Sequence, residues 1–361
     1  MIISDSQRMW FTTQLLSYYK LSGRTLPWRT DSNLYKIWVS EIMLQQTTVK
    51  TVIPYYEKFI NAFPTVLKLS AASLTEILLL WQGLGYYQRA KNLYLGSRII
   101  SEIYQGAMPG TLNEWLKIPG VGLSTASAIL AIGTNQYHTI LDANVKRVIT
   151  RFFTISSNNH PSKYNKTLWE VAQKLTSKEE PGDYAQAIMD LGATVCLNRN
   201  PECGKCPIHL HCKAYISNSV QNYPEKINRK PKTTYKEVCL LIRNQHNKYL
   251  FVRNDKNKLL ESLWQPPTFP WPETNKIPTL DSINGLFTLH YPEFRSGKIV
   301  TLSKITHDFT HRTNDVYPFC IHTETKKNPT GTWLEIEEWK SIPVSTLYQK
   351  VLKAYLSVEQ S

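Results

Sequence analysis

Two carboxylates, a four-cysteine loop and a glycine hairpin are the parts of this chain whose residue types and spacing could carry chemistry. Glu41 lies in Trp38–Thr47, WVSEIMLQQT, with Ile37, Trp38, Ile42 and Leu44 around it and no basic residue three or four positions away. A carboxyl group in apolar surroundings holds its proton to higher pH and could donate it to a leaving group. The ordinary alternative is a solvated charge on a helix. Asp142, in Ile140–Arg151, ILDANVKRVITR, stands just before a helical pattern. It suits an N-cap, and it also suits a carboxylate held at a helix start facing a substrate. Both roles hold at once only if different oxygens serve them.

Cys196, Cys203, Cys206 and Cys212 fall within seventeen residues as C-x6-C-x2-C-x5-C. A disulfide framework would spread its cysteines, so a tight cluster in a long chain reads as a metal or iron–sulfur site. Zinc sites usually pair two C-x2-C units, and only one is present. Four thiolates at this spacing can ligate a [4Fe–4S] cubane, one per chain, with zinc as the alternative. Cys239 and Cys320 stand alone in apolar runs and read as small buried hydrophobes. Leu116–Ala126, LKIPGVGLSTA, brings Gly120 and Gly122 to a tight turn ahead of Ser124. Backbone N–H groups exposed at such a helix start can hold a phosphate, so the segment predicts a helix-hairpin-helix that grips a DNA backbone; a plain turn is the alternative.

Positioning these groups takes a helical frame. Apolar residues recur at helical spacing in Trp10–Tyr19, Ile37–Leu44, Val52–Phe63, Leu74–Leu80 and Ala126–Ile132, punctuated by Pro27, Pro54, Pro64, Gly83, Gly85 and Pro109. Residues 1–215 thus predict an all-α domain. The polar, basic segment 216–235 reads as a linker. From 236 to 361 the texture changes to short β-branched and aromatic runs, EVCLLIRN, KYLFVRN, IVTLSKITH and VYPFCIHT, closing on a helical pattern near Val344–Leu356. That predicts a smaller α+β domain.

The chain of 361 residues carries 42 basic and 28 acidic side chains, and the excess is shared equally between the parts before and after residue 225. A basic surface of this kind favours nucleic acid or another polyanion. No apolar run approaches the ~18 residues of a membrane span. The start, MIISDSQRMW, lacks the pattern of a secretory signal. Membrane and secreted readings are therefore poor, and a cytoplasmic, bacterial-type, DNA-associated protein is the expectation.

Taken in order, LPWR (Leu26–Arg29), SEIMLQQT (Ser40–Thr47), GLGYYQRA (Gly83–Ala90), IPGVGLSTA, ILDANVKR, QAIMDLGA (Gln186–Ala193) and the cysteine loop resemble the MutY adenine DNA glycosylases of the helix-hairpin-helix superfamily. The resemblance implies an enzyme that removes adenine mispaired with 8-oxoguanine or guanine, acting as a monomer on double-stranded DNA. It implies Glu41 as acid/base residue and Asp142 as the carboxylate that stabilises the transition state. Gln46 and Tyr86 would be inserted into the duplex, and Gly120, Gly122, Ser124 and Asn144 would contact DNA. Trp28, Arg29 and Gln186 would line the adenine pocket. Strand-cutting relatives carry a lysine nucleophile where Ser124 stands, so a glycosylase without lyase activity is expected. The C-terminal part resembles the family's MutT-like (Nudix-like) domain, without the glutamate run of a Nudix box. Phe309-Thr310-His311 falls where the family has a Phe-Ser-His probe of 8-oxoguanine; a strand-end turn is the alternative. Another mismatch glycosylase of the superfamily and a non-catalytic DNA-binding protein are the competing functions.

Overall fold

The computed structural model describes residues 3–157, 160–225, 231–254, 260–272, 277–324 and 331–359. The N-terminal part contains α1 (Asp5–Ser22), α2 (Leu34–Leu44), α3 (Val49–Ala62), α4 (Val66–Ala71), α5 (Leu74–Trp81) and α6 (Gln88–Ile103). It continues through α7 (Leu112–Trp115), α8 (Leu123–Thr134), α9 (Ala143–Phe153), α10 (Pro161–Leu175), α11 (Pro181–Thr194) and α12 (Lys213–Ile216). Short polar side chains start several of them. Asn33, Thr48 and Asp142 each accept a backbone N–H from the first turn, which satisfies a donor that has no partner inside the helix. Pro54, expected to punctuate, lies inside α3. It forfeits one helical hydrogen bond, and the buried face of Val52, Tyr56 and Phe59 holds the helix together regardless.

The chain divides into two compact units, Met1–Ala72 with Gln88–Asn228, and Ser73–Tyr87 with Arg229–Ser361. The expectation was a contiguous helical domain over 1–215, and this division sets Ser73–Tyr87 apart from the rest of it. The segment Ser73–Tyr87 groups with the C-terminal residues, and within that unit the Gln82 side chain accepts the Val344 N–H at 3.0 Å. The described ends of the expected linker 216–235 carry some regular structure. They hold a 3-10 turn at Val220–Asn222 and the first residues of strand β1 (Thr233–Arg243). Thr233, Thr234 and Tyr235 extend because they pair with Arg312, Thr313 and Asn314.

The helical unit's core joins α1, α8, α9, α10 and α11 through residues such as Phe11, Leu15, Val148, Phe152, Leu168 and Ile188. The second unit is built on a mixed sheet. After β1 come β2 (Tyr249–Arg253), β3 (Trp264–Gln265), β4 (Thr268–Trp271), helix α13 (Leu280–His290), β5 (Arg295–Thr301), β6 (Ile305–Asp308), β7 (Arg312–Glu324), β8 (Thr332–Leu334) and α14 (Thr346–Glu359). The central path is β3-β2-β1-β7-β5, with β1 and β7 parallel. Alternate residues of β1 bury on opposite faces. Cys239 and Leu241 pack with Val351 and Leu352 of α14. Val238, Leu240 and Ile242 pack with Ile283 and Phe287 of α13. A strand covered on both sides reads as an unbroken apolar run, as EVCLLIR does. Pro318 sits inside β7 where its antiparallel neighbour changes from β6 to β5, so its missing N–H falls at a break in the ladder.

Candidate active site

A cleft of about 890 Å³ opens in the helical unit, and Glu41, Asp142, Asn144, Ser124, Gln186, Trp28, Arg29 and Gln46 all line it. The sequence thus brings these eight expected site residues to one surface. Glu41 is on the last turn of α2. It keeps some contact with the cleft, yet protein atoms crowd it, and burial pushes its carboxyl up to about 7, with Asp142 adding to the rise and Arg29 opposing it. Asp142 divides its oxygens. Oδ1 accepts the Val145 N–H at 2.7 Å and caps α9, while Oδ2 accepts from Asn144 Nδ2 at 3.0 Å. Burial raises its pKa, and these hydrogen bonds oppose the rise.

The hairpin has the expected form. Gly120 has φ +78°, and a Cβ there would come within 2.6 Å of Asn92, so glycine is required on both counts. Gly122 caps α8 with no side chain, leaving the first N–H groups of that helix to a ligand or water. Ser124 Oγ accepts the Leu141 N–H at 3.0 Å, one residue before Asp142. Gln46 and Tyr86, in different units, both occupy the left-handed region, at φ +59° and +49°. Both are exposed.

At the wall of the cleft, Trp28 packs edge-on against Tyr56, with ring centroids 5.2 Å apart. Gln186 is buried, and its Oε1 has no hydrogen-bond partner among the described residues. Arg29 is held by Asp190 through Nη1 and Nη2, both at 2.8 Å. Arg24 also reaches Asp190 through Nε, Nη2 and its backbone N–H. Burial alone would raise the Asp190 pKa, but the hydrogen bonds from the two arginines outweigh it and hold the carboxyl below its usual value.

The four cysteines line one small cavity together with Arg151, Ile208 and His209. All four are free thiols. Burial pushes Cys206 up to about 12, and Cys203 and Cys212 also shift upward. Thiols in this setting stay neutral unless a cationic centre draws the protons off. Among the described residues no three His, Cys, Asp or Glu side chains enclose a single metal ion. Arg151 anchors the loop through the carbonyls of Leu197, Asn198 and Tyr223. Arg147 joins the loop to the cleft, donating to the Cys196 carbonyl at 2.7 Å and to Asn144 Oδ1 at 2.9 Å.

In the second unit, Phe309, Thr310 and His311 form the tip of the β6–β7 hairpin, closed by the Phe309 N–H on the Arg312 carbonyl at 2.8 Å. Thr310 and His311 are exposed. The Tyr86 hydroxyl lies 2.7 Å from Thr310 Oγ1 within that unit.

Sequence reasoning missed Arg24, Asp190, Arg147, Arg151 and Arg89. The two arginines of RTLPWRT and the lone Asp190 on an apolar helix face were the available signals, but their pairing spans more than 160 residues.

A helical unit with a phosphate-ready hairpin, two cleft carboxylates and a cysteine loop defines a DNA glycosylase of base excision repair. Residues 39–174 match the HhH-GPD superfamily of base excision DNA repair proteins, and residues 238–354 match the NUDIX domain. The chain is 34% identical to an adenine DNA glycosylase of Buchnera aphidicola from Schizaphis graminum, covering 96% of this chain and 98% of the relative. It is 32% identical to the adenine DNA glycosylase of Homo sapiens, covering 96% of this chain and 74% of the relative. A solved thermostable thymine-DNA glycosylase is 29% identical, covering 59% of this chain and 98% of its own, at TM-score 0.54. The chain belongs to the adenine DNA glycosylase family.

Proposed function

We propose that this enzyme hydrolyses the N-glycosyl bond of adenine opposite 8-oxoguanine or guanine in duplex DNA, without cutting the strand. The observation that carries the reading is Glu41, a carboxyl that keeps its proton up to about pH 7 at the wall of a cleft shared with Asp142. The target base must leave the stack to enter that cleft. Gln46 and Tyr86, exposed at left-handed turns, are the residues to fill the vacated space. The unsatisfied Oε1 of Gln186 suits the exocyclic amino group of adenine. Trp28 and Arg29 complete the pocket.

Glu41 donates its proton to adenine N7. The C1′–N9 bond breaks with its electron pair going to the base, and the sugar becomes an oxocarbenium ion. Asp142, its Oδ1 engaged at the helix cap, stabilises that cation. Water adds to C1′ and passes its proton to the Glu41 carboxylate, which restores the starting state. Ser124 cannot form a Schiff base, which supports hydrolysis without lyase chemistry. Gly120, Gly122 and Asn144 belong to the DNA-gripping surface in this reading.

The four cysteines would hold one [4Fe–4S] cluster. Their convergence on one cavity and their spacing support it. When bound, the cluster supplies positive charge that draws off the thiol protons; no step of the hydrolysis runs through it. Purified protein would be yellow-brown with absorption near about 400 nm, whereas one zinc per colourless chain would overturn the assignment. The tip Phe309-Thr310-His311 reads the base opposite adenine, and Thr310 keeps a hydroxyl where the family has serine. The enzyme acts as a monomer in the bacterial-type cytoplasm; no described helix is long and apolar enough to cross a membrane.

The test is duplex nicking over a panel of mispairs, with and without alkali. Cleavage of the adenine strand only after alkali, strongest opposite 8-oxoguanine, is expected. Cleavage without alkali, or preference for another base, would refute it. His311→Ala should narrow the preference for 8-oxoguanine over guanine without removing basal adenine release.

A further inference from the structure

Gln46 stands in a conformation that a side chain bearing a Cβ rarely adopts, at φ +59°. Such a residue persists only when its surroundings over-determine the backbone. Contacts from α6 and from the hairpin fix this turn. Arg89, buried at 6% exposure near the start of α6, reaches the end of α2. Its Nη1 lies 2.5 Å from the carbonyl oxygens of Met43 and Gln45, and 3.3 Å from that of Ile42. The Ile42 carbonyl also accepts the Gln45 N–H at 3.4 Å, and all three carbonyls lie where α2 ends and the helix dipole favours a cation. On the other side, Gln45 Nε2 donates to the Gly120 carbonyl of the hairpin at 3.2 Å. Gln45 and Thr47 are half-buried while Gln46 between them is exposed.

We infer that Arg89 is a positioning residue for base extrusion: by gathering the carbonyls of residues 42, 43 and 45 it holds the strained turn that presents Gln46 to the duplex. It touches neither substrate nor the reacting atoms, and it acts through Gln46. The inference rests on Gln46 being the wedge, as proposed above. A buried cation is a costly way to end a helix unless the geometry it imposes is needed, and here that geometry ends on an exposed side chain aimed at solvent.

Four proteins test it: Gln46→Ala, Arg89→Met, Arg89→Lys and the double variant Arg89→Lys with Gln46→Ala. Extrusion is followed by the fluorescence rise of 2-aminopurine placed beside the target adenine, and chemistry by single-turnover release at saturating enzyme. Melting temperature is recorded for each. Gln46→Ala and Arg89→Met should each slow extrusion by about tenfold or more, the loss expected of about one strong contact. Arg89→Lys should fall between them and the native chain, because one nitrogen makes all three contacts but the lysine stem ends a bond short. In the Gln46→Ala background Arg89→Lys should add little. An undiminished Gln46→Ala would overturn the wedge reading itself. A slow Gln46→Ala beside a normal or fully additive Arg89→Lys would overturn only the clamp. If Arg89→Met fails to fold, the lysine variant carries the comparison alone.

Discussion

The helical unit keeps two kinds of carboxylate a short way apart, and they are treated in opposite fashion. Asp190 is sunk in the protein and answered by two arginines that contact both of its oxygens. Glu41 and Asp142 line a cleft and receive mostly neutral company: the partners of Asp142 are a backbone N–H and the Asn144 amide. The first arrangement fixes a charge and closes the matter. The second leaves one carboxyl that keeps its proton up to about neutrality and a second carboxylate beside the same cleft. A structural acid is paired until nothing is left over, whereas a reacting acid has to be left partly unanswered.

The sharpest way to break this contrast is Glu41→Gln. Adenine release should fall by roughly 10²–10⁴-fold, the usual worth of general acid/base catalysis, while mispair binding survives. Near-native turnover in single-turnover assays would make Glu41 a structural charge like Asp190. Asp190→Ala should act on stability first, costing about 3–5 kcal/mol in denaturant melts because the buried carboxylate is removed from two partly buried arginines. A loss below about 1 kcal/mol would mean that water replaces the carboxylate easily.

The pH dependence should run in opposite directions at the two sites. Asp190 has a folded pKa below its unfolded value, so its stabilisation is present above the unfolded pKa and is lost as the medium is acidified. Glu41 has a folded pKa of about 7 against 4.5 unfolded, so its protonated form favours folding below 4.5 and that advantage is lost as pH rises to 7. Above neutrality Glu41→Gln should therefore raise stability by up to roughly 3 kcal/mol, with no gain at pH 4. Melts of native and variant protein across pH 4–9 read this directly, and parallel curves would refute it.

Asp142 gives the smallest effect and separates its two duties. Asp142→Ala should cost about 0.5–2 kcal/mol through the lost cap, and Asp142→Asn only a few tenths, since asparagine caps about as well. Both should lose adenine release. Activity retained in Asp142→Asn would show that the cap is the whole role.

What could be read from the sequence was what local physics specifies. Asp142 precedes a helical pattern, the two glycines of the hairpin lie in four residues, and the cysteine spacing is contained in one loop. The capping duty of Asp142 was foreseeable, and Oδ1 performs it, while Oδ2 takes the Asn144 amide. Pairings across long stretches left no such mark. Nothing beside Asp190 in sequence points to Arg24 or Arg29, and nothing beside Cys196 points to Arg147. Helix α13 also went unread, although Leu280, Ile283, Leu286 and Phe287 recur at helical spacing. The grouping of Ser73–Tyr87 with the C-terminal residues had no local signature, since α5 has an ordinary capping box and an ordinary apolar stripe.

That last grouping has a consequence for how the chain is made. Helix α5 leaves the ribosome early, but the Val344 N–H that Gln82 accepts is 262 residues downstream. At about 5–20 residues per second, the segment waits on the order of 10–50 seconds for partners that have not yet been synthesised. Throughout that interval the Gln82 and Tyr86 side chains lack the Val344 N–H and the Thr310 hydroxyl that they meet in the finished protein. The helical unit therefore emerges with an inserted segment, Ser73–Tyr87, whose own unit is unfinished.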